Sequence, residues 1–432
     1  MTKHIYTCCL FGVMAFAGCK KDTVASHVAG AAMTIDNFTP ETGGRTTEIL
    51  ISGSNFATDT SQLSVTINGK KCTIVNSNLG QLMAIVPKQC GTGLIVVKSG
   101  NDSVTSTKPF NYIFTRTVST LAGSGKAGYA NGNGTQAQFN FNGQNWYRAS
   151  GIAVDDQLNV YVADVGNSCI RKIDSAGNVS LFAGKPGVSG FAEGKGSDAK
   201  FSLVYGMAID EQGNLYTADP GNWDIRKITP DGTATVLKWG AVGPWFAGYD
   251  KVSKKVYYSS ADSPGGVWRI NDDGSEDKIV GGINYPGGIA FDVQGNLFVS
   301  SNGDHTVLKF DANTWKQTVI AGKTGVPGYV NGTAADARFA FPWGLTLDRQ
   351  GNIYLAGDGL VVGTGNADQS VRFLTAGTYD VSTYAGSSTE GFTNGMGEAA
   401  AFAGPLGVAL DKNGVLYVID KNNNAVRKII SE

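Results

Sequence analysis

The chain has 432 residues, 59 of them glycine and 12 proline, with 42% hydrophobic residues and a formal net charge of −1 from 35 basic and 36 acidic side chains. Glycine at about twice its usual share favours turns over helices, while the apolar fraction suffices for a packed core, so the chain is folded and not a low-complexity polymer. The balanced charge supplies no field to gather nucleic acid, and three histidines, His4, His27 and His305, cannot build the common two- or three-histidine zinc site inside the folded part.

The first residues, Met1-Thr-Lys3-His4, precede an apolar run from Cys8 to Gly18. That run is too short for a hydrocarbon core that needs about 20 residues, and it reads as a signal peptide over 1–18. Its end, Phe16-Ala17-Gly18-Cys19, resembles a bacterial lipobox, with phenylalanine where leucine is usual. The resemblance implies lipidation at Cys19, a tether over 19–33 and attachment to the outer membrane through the acyl chains, with the protein facing the cell exterior. Of the remaining cysteines, Cys72 and Cys90 fall in one small domain and are read equally well as a disulfide or as two buried thiols. Cys169 has no obvious partner.

Residues 34–115 alternate short apolar strands with turns, as in Glu48-Ile-Leu-Ile-Ser, Ser64-Val-Thr-Ile-Asn and Leu94-Ile-Val-Val. Six or seven such strands in about 80 residues predict a β-sandwich. Phe38-Thr-Pro40, Ile51-Ser-Gly53-Ser-Asn55-Phe56, Ile67-Asn-Gly69, Val86-Pro87 and Pro109-Phe110 resemble an IPT/TIG domain, an immunoglobulin-like module. The Gly-Ser-Asn-Phe turn is then structural, and the module acts as a spacer.

From residue 117 to 432 the chain repeats itself. Gly151-Ile-Ala-Val-Asp155, Gly206-Met-Ala-Ile-Asp210, Phe246-Ala-Gly-Tyr-Asp250, Gly288-Ile-Ala-Phe-Asp292, Gly344-Leu-Thr-Leu-Asp348 and Gly407-Val-Ala-Leu-Asp411 are one strand written six times. Second, third and fourth strands follow each copy, as in Leu215-Tyr-Thr, Ile225-Arg-Lys-Ile and Thr235-Val-Leu, with Gly213, Gly295 and Gly351 at hairpin positions that want positive φ. The sixth copy lacks its fourth strand, and Val118-Ser-Thr-Leu-Ala-Gly123 stands upstream to supply it. These units resemble NHL repeats. The expected fold is therefore all-β, an N-terminal immunoglobulin-like sandwich followed by a six-bladed NHL-type β-propeller closed by its own chain ends.

Blade geometry puts the second-to-third loops and the long crossovers on one face, and tight turns such as Asp174-Ser-Ala-Gly177 on the other, where little room for chemistry is expected. Rings that recur in four crossovers (Tyr129 and Phe139, Phe191 and Phe201, Tyr329 and Phe339, Phe392 and Phe402) are read as packing, and Asp164, Asp219 and Asp420 as turn caps. Aromatic residues that differ between blades are the candidate ligand contacts: Trp146, Tyr147, Tyr205, Trp223, Trp245, Tyr285 and Trp343, with Arg148 nearby. Flat rings with scattered polar side chains around a concave mouth suit sugars.

A lipobox, one IPT/TIG module and an NHL propeller in this order resemble the surface glycan-binding lipoproteins of polysaccharide-utilisation systems. The resemblance implies a non-catalytic receptor that captures oligo- or polysaccharide for an outer-membrane transporter complex, with no cofactor, no metal and no nucleic-acid partner. A protein-binding scaffold is the first alternative. A propeller hydrolase or lyase is the second, although no Gly-x-Ser-x-Gly elbow, histidine pair or cysteine cluster occurs.

Overall fold

A computed structural model describes residues 26–141, 150–262, 265–357 and 368–432. The chain divides into two compact units at Phe114 and Thr115. Cys19, Trp146, Tyr147 and Arg148 lie outside the described residues.

The first unit is a sandwich of two sheets. One orders Thr34–Thr39, Glu48–Ser54, Gln81–Ile85 and Thr73–Ser77; the other orders Thr42–Gly43, Asp102–Tyr112, Gly93–Ser99, Leu63–Ile67 and Lys70–Lys71. Alternate residues of these strands, Ile49, Ile51, Val65, Ile67, Ile95 and Val97 among them, are buried between the sheets, as the period of two requires. Asn55, in the left-handed region at φ 60°, holds the Gly-Ser-Asn-Phe turn. Its amide accepts the Val28 N–H and donates to the Val28 and Ala31 carbonyls, while His27 meets Asp102 at 3.0 Å. The tether expected over 19–33 is thus corrected: from His27 the chain is hydrogen-bonded to the sandwich. Cys72 and Cys90 are free buried thiols, and burial pushes the Cys72 thiol up to about 12.

The second unit consists of six antiparallel sheets, each running from an inner strand at the axis to an outer one. Blade 1 has Ile152–Val154, Val160–Asp164, Cys169–Ile173 and Asn178–Ala183; blade 2 has Gly206–Ile209, Leu215–Asp219, Asp224–Ile228 and Thr233–Trp239. Blades 3, 4 and 5 begin at Pro244–Asp250, Pro286–Phe291 and Pro342–Leu347. Blade 6 takes Pro405–Leu410, Leu416–Asp420 and Ala425–Ser431 from the C-terminus, and Arg116–Ala122 pairs antiparallel with the last of these as its fourth strand. The ring is closed by its two ends, as expected.

Each inner strand ends in an aspartate that organises the next hairpin. Asp210 Oδ1 accepts the Gln212 and Asn214 N–H groups, and Oδ2 accepts from Asn214 Nδ2 and the Tyr216 hydroxyl. Asp155 repeats the arrangement with Gln157, Asn159 and Tyr161. The glycine that opens five of the six inner strands has a different cause. A Cβ at Gly206 would sit 2.5 Å from Phe246 Cα, one at Gly344 2.4 Å from the Leu406 carbonyl, and one at Gly407 2.3 Å from the Ser150 carbonyl. The blades therefore touch backbone to backbone at the start of their inner strands, which only glycine permits.

The crossovers are less uniform than the sequence suggested. Those entering blades 1, 2, 5 and 6 are long and pair with the outer strand of the blade they enter, as Gly132–Asn133 and Gly194–Lys195 do. Those entering blades 3 and 4 run only from Gly240 to Gly243 and from Asn284 to Tyr285. The long crossovers carry the recurrent rings, and the structure shows what they pack. Arg171 lies between Tyr129 and Phe139, 4.3 and 5.3 Å from the ring centroids, and Arg226, Arg372 and Arg427 are sandwiched in the same way. Each buried guanidinium spends its donors on crossover carbonyls and pairs with a buried aspartate, Asp164, Asp224, Asp368 or Asp420.

Candidate functional site

Two kinds of segment build the face expected to carry function. The loop between second and third strands ends in a residue forced into the left-handed region: Ser168 (φ 52°), Trp223 (φ 56°), His305 (φ 59°) and Asn424 (φ 45°). The crossover ends in another such residue just before a proline: Gly243 (φ 44°), Tyr285 (φ 49°), Phe341 (φ 51°) and Gly404 (φ 65°). Glycine and asparagine tolerate this conformation, whereas for other L-residues it costs roughly 1–2 kcal/mol. Trp223 and Tyr285 are bulky, sit at these strained positions, and are each 54% exposed. Nothing in the repeat requires either ring.

Trp245, half-buried, joins Tyr285 to the axis. Its ring centroid lies 6.1 Å from Tyr285, 6.2 Å from Tyr205 and 5.5 Å from Trp343. The structure thus brings four of the seven candidates into one cluster, but two of them are not contact surface. Trp343 is 1% exposed and Tyr205 5%. Trp343 packs with Phe246 and Leu406 in the core. They form the floor of the cluster. Its accessible part is Trp245 and Tyr285.

Trp239 was not among the candidates. It is more than half exposed, pairs in register with Asp224 next to Trp223, and its ring lies 4.8 Å from Phe191, which itself covers Arg226. The signal was present in the repeat: by strand register Trp239 stands where four other blades have Gly123, Gly184, Gly322 and Gly386. Blade 2 therefore presents Trp223, Trp239 and Phe191 along one rim, beside the short crossover that leaves the face open.

The titratable groups at this face serve the scaffold. Asp164 accepts the Asn140 N–H at 2.7 Å, Asp420 accepts the Ala403 N–H at 2.7 Å, and Asp219 accepts from Ser202 and Leu203. Burial raises the Asp164 and Asp420 carboxyls to about 6 against the pull of their hydrogen bonds and arginines. Asp224 differs: its carboxylate is buried, meets Arg226 at 3.5 Å, accepts no hydrogen bond, and is raised to about 7 by burial and by the charge of Asp219. His305 is buried. Its Nδ1 accepts the Phe341 N–H at 3.2 Å, and burial lowers its pKa.

The opposite face also departs from expectation. A cavity of about 530 Å³ occupies the axis, lined by all six inner strands and by the hairpin residues Lys251, Val252, Val293 and Arg349. Its wall starts at Ile152, Met207, Ile289, Leu345 and Val408, each one residue beyond an inner-strand glycine.

Comparison with known proteins agrees with this architecture. Residues 33–112 match the IPT/TIG domain, and residues 147–173 and 402–429 match the NHL repeat. Over 325 residues, 64% of this chain and 30% of the relative, the protein is 25% identical to Protein SUPPRESSOR OF QUENCHING 1, chloroplastic, of Arabidopsis thaliana. The chain spans less than half the length of the curated relatives it matches. Among solved structures, a structural-genomics protein of unknown function from Bacteroides thetaiotaomicron superposes with a TM-score of 0.66 at 20% identity, over 94% of this chain and 100% of that one. An auxiliary nutrient binding protein from Bacteroides ovatus superposes with a TM-score of 0.58 at 20% identity, with the same coverage. At that identity the likeness establishes the fold.

Proposed function

We propose that the protein is a non-catalytic receptor that captures oligo- or polysaccharide on the face carrying Trp223, Trp239, Trp245 and Tyr285. The observation that carries this reading is the pair of large, more than half-exposed aromatic residues held at left-handed positions where sibling blades place glycine, asparagine, serine or the less exposed rings of His305 and Phe341. A ring that is both strained and solvent-exposed does nothing for stability, and stacking on the apolar face of a pyranose is a use that suits it. One indole covering about 50 Å² of sugar contributes about 1 kcal/mol at roughly 25 cal/mol per Å². Three or four rings then give dissociation constants in the micromolar-to-millimolar range once association costs are subtracted. The name of the Bacteroides ovatus neighbour is consistent with such a role.

The same proposal places the protein on the outer membrane through lipidated Cys19, delivering glycan to a transporter complex. Affinity gels cast with a panel of polysaccharides test the binding: retardation by at least one glycan, lost on Trp239→Ala, is the expected result. No retardation across the panel, with capture of an outer-membrane protein instead, would replace the receptor by a scaffold; cleavage of a glycan would replace it by an enzyme. Metabolic labelling with palmitate, abolished by Cys19→Ala, checks the anchor.

A further inference from the structure

We infer that Asp262 is the hydrogen-bonding contact of the glycan face, and that it joins two groups of rings into one site for a chain longer than a disaccharide. The inference rests on the receptor reading above. The rings lie on either side of the short crossover from Gly240 to Gly243. Trp223, Trp239 and Phe191 stand on the outer part of blade 2, whereas Trp245 and Tyr285 stand where the inner strands of blades 3 and 4 begin. The outer and inner strands of a blade are three strand spacings apart, roughly 14 Å, and the six residues from Trp239 to Trp245 reach at most about 20 Å. That span exceeds a disaccharide. The crossover between the groups is braced: the Ala241 N–H donates to the Trp223 carbonyl at 2.9 Å, and the Val242 N–H to the Tyr258 hydroxyl at 3.1 Å.

Asp262 lies against the inner end of this crossover, two residues after the second strand of blade 3. At the same place blades 1, 2 and 4 carry a glycine, because a crossover side chain presses on the loop there. A Cβ at Gly166 would meet Asn140 at 2.5 Å, one at Gly221 would meet Ser202, and one at Gly303 would meet Asn284 at 2.6 Å. In blade 3 the partners are exchanged: the glycine is Gly243 of the crossover, and a Cβ on it would meet Asp262 Oδ2 at 2.5 Å. A carboxylate therefore fills the gap that asparagine fills in two siblings. Packing accounts for a small polar side chain here but not for its charge. Asp262 is exposed, its N–H donates to Ser260 Oγ at 3.2 Å, and its carboxylate accepts no hydrogen bond among the described residues. Neighbouring carboxylates are committed: Glu193 accepts the Val236 N–H at 2.6 Å, Glu276 the Tyr258 hydroxyl at 2.7 Å, and Asp304 the Asn284 amide at 3.0 Å. Two free oxygens between stacking rings suit adjacent hydroxyls of one pyranose, in charge-assisted bonds stronger than those to an amide.

Calorimetric titration of the full chain with laminari-, cello-, manno- and malto-oligosaccharides of two to six units tests this. At least one hexaose is expected to bind, and its disaccharide at least about tenfold more weakly. Asp262→Asn keeps the packing that Asn140 and Asn284 supply in their own blades, so the melting temperature should not move, while hexaose binding should weaken about tenfold through loss of the charged acceptor. A packing role alone would leave that binding unchanged. Unchanged hexaose binding by the folded Asp262→Asn protein, or a disaccharide bound as tightly as its hexaose, would overturn the inference and leave capture by the rings standing. A parent protein that binds no hexaose and is retarded by no polysaccharide would remove the receptor reading itself.

Discussion

Replacing Trp223 by asparagine separates a binding ring from a structural one. The sibling residue Asn424 shows that asparagine fits the same left-handed position, at φ 45° against φ 56° for Trp223. The loop is held through its backbone, with the Trp223 carbonyl accepting the Ala241 N–H at 2.9 Å, and this bond survives the substitution. The strain relieved is roughly 1 kcal/mol, and the packing lost is small for a side chain more than half exposed. The two nearly cancel, so the melting temperature should stay within about 2 °C of the parent or rise. Binding has no such compensation. Losing one indole's share of sugar surface, about 1.2 kcal/mol, weakens retention roughly eightfold. Differential scanning fluorimetry beside affinity-gel electrophoresis reads both quantities from one preparation. A melting temperature lowered by 5 °C or more would show that the ring belongs to the fold, and unchanged retention would remove it from the site.

Trp343→Ala should behave in the opposite way: the indole is buried in the axial plug, so truncation is expected to cost about 3–5 kcal/mol in urea unfolding whatever it does to glycan. Gly407→Ala tests the close approach of neighbouring blades, since its new methyl would meet the Ser150 carbonyl at 2.3 Å, and a loss of about 1–3 kcal/mol is expected by the same measurement. Asp224 should give a pH signature. Its folded pKa of about 7 lies above the unfolded value near 3.9, so the native state holds the proton more tightly. That contribution is complete below about pH 4 and is lost as pH rises to about 7, on the order of 3–4 kcal/mol in all. Between pH 5 and pH 8, Asp224→Asn should therefore lose less stability than the parent; parallel pH profiles for the two proteins would refute the assignment.

Much of this architecture could be read before any coordinates, because a repeat exposes its own rules. The six inner strands, the hairpin aspartates and the closing strand from Arg116 to Ala122 all follow from self-similarity, and each has a local physical cause. The buried role of the crossover rings was legible for the same reason. What escaped was depth. Trp245 and Trp343 occupy equivalent positions at the start of their inner strands, yet one is half-buried and the other buried, because Trp343 lies within the core cluster of Phe246 and Leu406 while Trp245 packs on its outside. Crossover length was overestimated where the pattern fades, at blades 3 and 4, and the axial cavity was missed because residues beyond the strand-end aspartates were taken as uniform turns, although Lys251, Val293 and Arg349 differ there as much as any residue on the other face.

Six copies of one backbone environment also weigh residues against each other, since a side chain at equivalent positions meets nearly the same local geometry. By that measure blade 2 is anomalous three times within one rim. Trp223 takes a left-handed position that Asn424 fills at lower cost, Trp239 exposes an indole where four blades have glycine, and Asp224 buries a carboxylate without a hydrogen bond where Cys169, Thr306, Ser370 and Ala425 stand. Each choice works against stability, and an isolated fault of this kind would be easy to repair by single substitution. Their convergence beside the short crossover, on the side of the ring where no long segment covers the face, is what a recognition surface requires: exposed flat rings on a rigid blade.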